Sequence, residues 1–559
     1  MEPVVIPPAW VDAHAPVANL LAPLHPHWPW WAAAVLLSAL ALLLHHRSTR
    51  PRTAPFERPS DRPTSPASPV TPSTAARTRA GSQWAGVVIA AAAAFALAVA
   101  CDGLVDDAYI QFRYAANWAA GVGPVFNPGE RLEGASGGGW IATLAATSRL
   151  TGLSEGVAGR LLSLLLAPAA VVVAGFTAAR LAPGAAVPVA VAWAALATPA
   201  LYAASGLETA CWALALWLLA AGLAAARPGP AAAGAVIAAA VRPEALVLAA
   251  FTLPTWRRLP RAGRTALAAA AVTLVTLAAA RFLYYGSPVP HAALVKGVTA
   301  AAGPGAGGRY LLTALLEWWP LLLALPALWQ RRRHLLPVLL PVGGWTALAV
   351  ARGGDWMPGS RYLIPLLVLL TVALAMAPAR LCLATAALLV AVAAWRLAPL
   401  EFPGRGLPGD LWRAMTNHRV QSRWWEALGE RLGRQLPADT LLAVGPAGAL
   451  AYASRLPVFD LYGLNTPVRR RGGVTPGHTL WGLPEAIQRA CAVIVPGRPV
   501  PQSNDPAALH AAAAEFARQT PELASAYRPV LLVHPSQRRL DIVRDIIWVR
   551  QPPPTDGPS

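Results

Sequence analysis

The feature that most constrains this chain is its run of long apolar segments. Stretches of membrane-spanning length fall at about 29–46, 84–101, 157–179, 186–204, 209–226, 265–284, 310–329, 335–351, 361–378 and 380–397. The stretch 230–256 is also apolar, but Arg242-Pro243-Glu244 interrupts it, so it reads as two half-spanning helices meeting at a polar tip. The count is about 12 segments. Only 13% of the residues are charged, which excludes a disordered chain, a coiled coil and an ordinary cytosolic enzyme.

The basic residues then take on a topological meaning. A net charge of +19 in a water-soluble protein would suggest nucleic acid; here the arginines sit between apolar runs and set orientation, so no nucleic-acid partner is expected. The linker 47–82, rich in Pro, Ser and Thr, carries seven arginines and is expected to be cytoplasmic. That places residues 1–28 outside and makes 1–46 an external N-terminus with an extra transmembrane helix. The 28 residues before segment 29–46 contain no Lys or Arg, so the positively charged region of a cleavable signal peptide is missing and none is expected. The clusters Arg257, Arg258, Arg261, Arg264 and Arg331, Arg332, Arg333 fall inside on the same count. The short apolar stretch 138–152 keeps this parity if it lies along the surface within the first outer loop. Glu208, the Arg242-Pro243-Glu244 tip, 285–309, 352–360 and everything after about 400 are then external.

The composition changes in the C-terminal part. Short β-like runs at Thr440–Val444, Val458–Tyr462, Ala492–Val495, Val530–Val533 and Ile542–Val549, with a helix-like stretch near 506–518, predict a small external α/β domain over 401–550. Residues 551–559 are a Pro-rich tail expected to be disordered. The four cysteines show neither a disulfide framework nor a metal spacing.

The chemistry is expected in the outer loops. Asp106 and Asp107 stand within a few residues of a membrane helix end, where a carboxylate pair is costly unless solvated or paired. One can cap the helix predicted over 108–120 while the other faces a substrate, because neighbouring side chains diverge. Outside the membrane there is no nucleotide sugar, so a group-transfer enzyme there draws activated groups from a lipid carrier. Such a reaction needs a carboxylate to take the acceptor hydroxyl's proton and cations to neutralise the departing phosphate. Arg113, Arg242, His291, Lys296, Arg352 and Arg361 are the candidate cations; Lys296 is the lone lysine among 46 basic residues.

The blocks around these residues resemble a known family. Asp106-Asp-Ala-Tyr-Ile-Gln-Phe-Arg-Tyr-Ala, followed by Gly123-Pro-Val-Phe-Asn-Pro-Gly-Glu-Arg-Leu-Glu-Gly, is similar to the opening motif of GT-C-fold glycosyltransferases. The chain most resembles the actinobacterial cell-wall enzymes that add terminal β-1,2-arabinofuranose. Ser205-Gly-Leu-Glu-Thr, Val241-Arg-Pro-Glu, Tyr285-Gly-Ser-Pro-Val-Pro-His-Ala-Ala-Leu-Val-Lys, Gly353-Gly-Asp-Trp-Met-Pro-Gly-Ser-Arg-Tyr-Leu-Ile-Pro and Val458-Phe-Asp-Leu-Tyr-Gly-Leu-Asn resemble that family's later blocks, in order.

The resemblance implies a polytopic α-helical membrane protein with a GT-C-like catalytic domain over 83–400 and an external α/β domain. It implies inverting transfer of a sugar from a polyprenyl-phosphate donor to a cell-envelope glycan or lipid acceptor, at the bacterial inner membrane. Asp106 matches the catalytic carboxylate, with Asp107 the alternate. Glu208 matches the second acidic position, and Arg242, Lys296 and Arg361 stand where phosphate contacts are expected. Glu133, Asp355, His291 and Arg113 complete the expected substrate contacts. No cofactor is required, and a divalent cation near Asp106 and Glu208 is left open. Two departures, Ala135-Ser-Gly-Gly-Gly-Trp after the Glu-Gly and His291 in place of the family's Asn, fall where the acceptor or sugar pocket is shaped. The competing readings are a lipid-linked glycan flippase and a non-enzymatic envelope assembly protein, which would place ionisable groups at the bilayer midplane or leave Asp106 dispensable.

Overall fold

The computed structural model describes residues 27–49, 74–299, 303–399, 409–468, 482–496, 506–535 and 542–551. All but the first residue of the expected tail 551–559, most of the linker and the first 26 residues lie outside this set. Among the described residues, five helices are long and apolar enough to cross a bilayer: His27–Thr49, Gly81–Ala100, Glu155–Leu181, Arg261–Tyr285 and Ala379–Arg396. A sixth span is broken, its halves Gly305–Glu317 and Trp319–Gln330 meeting at 86°. Four shorter apolar helices, Thr209–Ala224, Pro228–Val241, Leu336–Ala351 and Arg361–Ala375, fall on the remaining expected segments.

The departures from continuous helices have local causes. The expected segment 186–204 divides into Ala186–Ala194 and Ala197–Tyr202. The stretch 230–256 divides where the sequence suggested, into Pro228–Val241 and Ala245–Thr252, because Pro243 removes a donor and Arg242 takes an extended backbone. The helix Gly138–Thr151 has 14 residues and is about 21 Å long, too short for a hydrocarbon core of about 30 Å.

Small residues let these helices approach closely. A Cβ on Gly222 would stand 2.3 Å from the Ala231 backbone nitrogen, so Thr209–Ala224 and Pro228–Val241 meet backbone to backbone. Large apolar side chains turn outward instead: Leu36 and Leu43 on His27–Thr49, and Val272, Val275 and Leu283 on Arg261–Tyr285. In water that pattern would be a liability, and in lipid it is the expected solvent-facing surface.

The C-terminal part is an α/β unit. Its five strands are β1 (Leu442–Val444), β2 (Val458–Asp460), β3 (Val493–Val495), β4 (Tyr527–Pro535) and β5 (Ile542–Arg550), all on the runs expected from sequence. The order is β2-β1-β3-β5-β4, parallel across β2, β1 and β3 and antiparallel across β3, β5 and β4. Alternation along β1 sends Leu442 and Val444 toward the main core and Ala443 to a second core with Phe459, Ile494 and Trp548.

A 26-residue amphipathic helix, Asp410–Gln435, joins this unit to the membrane helices. Its buried face carries Leu411, Trp412, Met415, Trp425, Leu428 and Leu432, roughly the i, i+4 spacing of a helix lying on a core. Its first residue is pinned by charge. Asp410 accepts bonds of 2.9 and 2.7 Å from Arg396 at the end of the last membrane helix, and Glu317 lies 3.7 Å from the same guanidinium. Replacing Arg396 by Leu leaves two buried carboxylates without their cation, a loss of about 3–5 kcal/mol for pairs of this kind. Arg396→Leu should therefore lower the apparent melting temperature of detergent-purified protein clearly more than Arg434→Leu, which breaks an exposed pair.

Candidate active site

The helix Asp106–Ala119 follows the end of a membrane helix at Ala100 after five intervening residues, and its first two side chains diverge. The Asp106 carboxylate turns to the C-terminal unit. Its Oδ1 accepts the Ala449 backbone N–H at 2.8 Å, at the start of the helix Ala449–Ser454. Gly448 makes this approach possible, since a Cβ there would stand 2.0 Å from the Asp106 carbonyl oxygen. Burial raises the Asp106 carboxyl to about 7, opposed by the N–H of Ala449 and reinforced by Asp107.

Asp107 turns the other way, into a cluster of buried charges. Arg361 Nη2 lies 3.4 Å from Asp107 Oδ2, and Arg361 Nε donates to Asp355. Asp355 is 1% exposed at its side chain and Asp107 is 28% exposed, so of these two carboxylates Asp107 is the one that can meet a ligand. Arg361 is aimed by its backbone: Ser360 holds the left-handed conformation at φ 54°, immediately after Gly359 at φ 83°.

A second guanidinium adjoins the first. Arg242, at the tip between the two half-helices, lies 2.7 Å from Glu208 and 3.8 Å from Glu244. The Tyr362 ring is 5.6 Å from both Arg242 and Arg361. Gln111 donates to Glu208 at 2.8 Å from one turn along the Asp107 helix. Burial disfavours the Glu208 carboxylate, but Arg242, the Gln111 amide and Arg361 outweigh it and hold the group below its ordinary value. The Nε of Arg242, Oε1 of Gln111 and Oε2 of Glu244 are buried without a hydrogen-bond partner among the described residues. Three unpartnered polar atoms in one charged cluster leave hydrogen-bonding capacity there that the described residues do not use.

The remaining expected residues go elsewhere. Arg113 is spent on the protein: Nε donates to Phe126 O at 2.7 Å, Nη2 to Asn127 Oδ1 at 3.0 Å and Leu456 O at 2.7 Å, and Nη1 to Ala451 O. It ties the first loop to the C-terminal unit and does not face the cluster. Glu133 pairs with Arg281 at 2.9 Å in a separate corner. There the His291 ring nitrogen lies 3.1 Å from Gly463 O, and the Ala292 N–H donates to Glu133 O. Arg352 is exposed beside the glycine loop. Lys296 belongs to the helix His291–Thr299, and its side chain lies outside the described residues.

Three members of the cluster escaped sequence reading. Gln111 is four residues after Asp107, a helical spacing that puts both on one face and could have been noticed. Tyr202 and His418 arrive from distant segments. The His418 ring packs edge-on against Trp356 at 5.1 Å. Burial lowers its pKa, partly countered by Asp107, so it carries a neutral imidazole near pH 7. Among the described residues no three His, Cys, Asp or Glu side chains come together as a metal-holding group.

The apolar helices and the C-terminal sheet make up a multi-pass membrane protein of the GT-C fold. The chain superposes on the crystal structure of ArnT from Cupriavidus metallidurans bound to undecaprenyl phosphate, with a TM-score of 0.52 and 14% identity, over 83% of this chain and 98% of that one. The apo structure of the same ArnT aligns over 84% and 98% at a TM-score of 0.48 and 14% identity. Residues 412–538 match a family described as "Domain of unknown function (DUF8728)". No curated protein matches the chain.

The Asp106 geometry makes a signed prediction. A carboxyl whose pKa is raised from 3.8 to about 7 on folding adds stability below pH 4 that is lost as pH rises through about 7. Asparagine keeps the acceptor for Ala449 without the charge. The difference in melting temperature, Asp106→Asn minus wild type, should therefore grow from pH 4 to pH 8; a flat difference would show that Asp106 is not held toward its neutral form. Gly448→Ala should lower stability at every pH, because its Cβ meets backbone rather than a movable side chain.

Proposed function

We propose that the chain is a membrane glycosyltransferase that moves a sugar from a polyprenyl-phosphate donor to a cell-envelope glycan or lipid acceptor, with inversion, on the outer face of the bacterial inner membrane. The observation that carries this reading is a buried guanidinium, Arg361, 3.4 Å from the partly exposed carboxylate of Asp107, with a second buried guanidinium, Arg242, across the Tyr362 ring from it, at the edge of the membrane helices. The fold shared with a protein that binds undecaprenyl phosphate supports it, as does the ordered series of sequence blocks. That series also favours arabinofuranose as the sugar.

The chemistry assigns each group a task. The acceptor hydroxyl oxygen forms a bond to the anomeric carbon while its proton passes to the Asp107 carboxylate. The bond from the anomeric carbon to the phosphate oxygen breaks on the opposite face, and its electron pair leaves with the polyprenyl phosphate. Arg361 and Arg242 meet the charge that develops on that oxygen, in a setting where water is largely excluded. Asp355 and Glu208 orient the two guanidinium groups and keep them charged. Asp106, placed first on sequence grounds, takes a positioning role here: it fixes the start of the helix that aims Asp107. Arg113 has a similar holding role for the loop.

The test is release of polyprenyl phosphate from a panel of polyprenyl-phosphate sugars by protein reconstituted in liposomes. Asp107→Asn should slow release by about 10²–10⁴-fold, the usual contribution of a general base. Arg361→Gln should slow it by a comparable factor of about 10²–10³. Asp106→Asn should retain most of the rate. Full activity in Asp107→Asn would remove the proposed base and, with it, this assignment of the site.

A further inference from the structure

A second group of cations lies on the Asp410–Gln435 helix, away from the pairs just described. Arg419 is only 5% exposed, its stem packed where a Cβ on Gly103 would stand 2.4 Å from its Cδ. Its Nε and Nη2 are buried with no hydrogen-bond partner among the described residues, and the guanidinium otherwise meets the Cys101 thiol, a weak hydrogen-bond partner. Arg423 is one turn further along the same face, and Arg160 approaches from the helix Glu155–Leu181. All three act electrostatically on His27 at the start of the N-terminal membrane helix.

The arrangement is unfavourable as it stands. Like charges at i, i+4 repel, and a buried guanidinium with two unpartnered nitrogens and only a thiol for company bears a desolvation cost. Two nearby carboxylates offset part of the charge on Arg160 and Arg423 but not that on Arg419. Asp102 is paired with Arg160, and Glu426, close to Arg423, accepts the Tyr109 hydroxyl. Burial and Arg423 push the Arg419 guanidinium down to about 10, still charged near neutral pH. Exposure grades outward, from buried Arg419 through half-buried Arg423 to Arg160 at 48%. The group sits at the end of the helix Thr74–Ala100, where Trp412 Nε1 donates to Ala100 O at 3.3 Å. It therefore stands at the same membrane edge as the candidate active site.

We infer that Arg419, Arg423 and Arg160 form a second anion site, which takes the phosphate group of a lipid. Two unpartnered N–H donors on one buried guanidinium match the oxygens of a phosphate, and the exposed cations lead to it from the membrane edge. The apolar helices His27–Thr49 and Thr74–Ala100 beside it suit an acyl or prenyl chain. This inference does not rest on the proposed transfer reaction.

The test is native mass spectrometry of the full-length chain in detergent, in an Arg361→Gln background that removes a phosphate contact of the proposed active site. The probes are dioleoyl phosphatidylglycerol, decaprenyl phosphate, zwitterionic dioleoyl phosphatidylcholine and inorganic phosphate. At least one anionic lipid should bind, with phosphatidylcholine weaker. Adding Arg419→Gln or Arg423→Gln should each weaken that binding at least 10-fold, and Arg419→Lys should restore part of it. Which anionic lipid responds identifies the source of the phosphate. Unchanged lipid binding in both variants, equal binding of phosphatidylcholine, or binding of inorganic phosphate alone would overturn the inference. Should Arg419→Gln fail to fold, the more exposed Arg423→Gln decides. Loss of sugar transfer in Asp107→Asn tests the other site and leaves this result untouched.

Discussion

Two adjacent carboxylates facing opposite ways are the constraint on which the rest of the structure depends. Asp106 and Asp107 open the same helix, and consecutive helical positions project about 100° apart. One therefore reaches the C-terminal unit through Ala449 and the other reaches Arg361. The two contacts hold the start of the helix from two sides. Arg113, two turns along, adds four further bonds to the loop and to the C-terminal unit. The first loop is thus part of the C-terminal unit's surface as much as of the membrane domain's.

The charges at the site are poor evidence for stability and good evidence for geometry. Taking Arg242, Glu208, Arg361 and Asp355 out of water costs several kcal/mol per ion, and their attraction returns little net gain. Apolar residues of similar size would pack at least as well. What the ion pairs supply is fixed direction: a guanidinium bound to a buried carboxylate on one side presents its remaining N–H groups on the other. The unpartnered atoms Arg242 Nε and Gln111 Oε1 are the visible result. Such groups inside a membrane protein are costly enough to mark function by default.

Much of this architecture was legible in the sequence because it follows from local pattern. The five strands lie where short β-branched runs predict them, and Pro243 splits its segment as expected. The acid and base positions Asp107, Glu208, Arg242, Asp355 and Arg361 do meet, although they come from four separate segments. Local pattern could not show that Arg113 and Glu133 would be absorbed by Ala451, Leu456 and Arg281, since those partners are 148 to 343 residues away. His418 was invisible for the same reason. It lies in the helix Asp410–Gln435, which the buried apolar face and the pinning of Asp410 by Arg396 hold against the membrane helices.

The loop that carries Arg361 explains how a long, flexible side chain can be held to one task. Gly353, Gly354 and Gly359 adopt positive φ angles, and Ser360 does so without being glycine, at a cost of order 1 kcal/mol or more. At Gly354 a side chain is excluded outright, because a Cβ would meet the Tyr310 ring at 2.2 Å. Tyr310 in turn accepts the Tyr362 backbone N–H, one residue past Arg361. The loop is clamped on both flanks of the arginine, so the conformational entropy of placing the guanidinium is met during folding rather than during binding. A strained residue directly before a buried cation, supported on both sides, fixes the direction in which the guanidinium points.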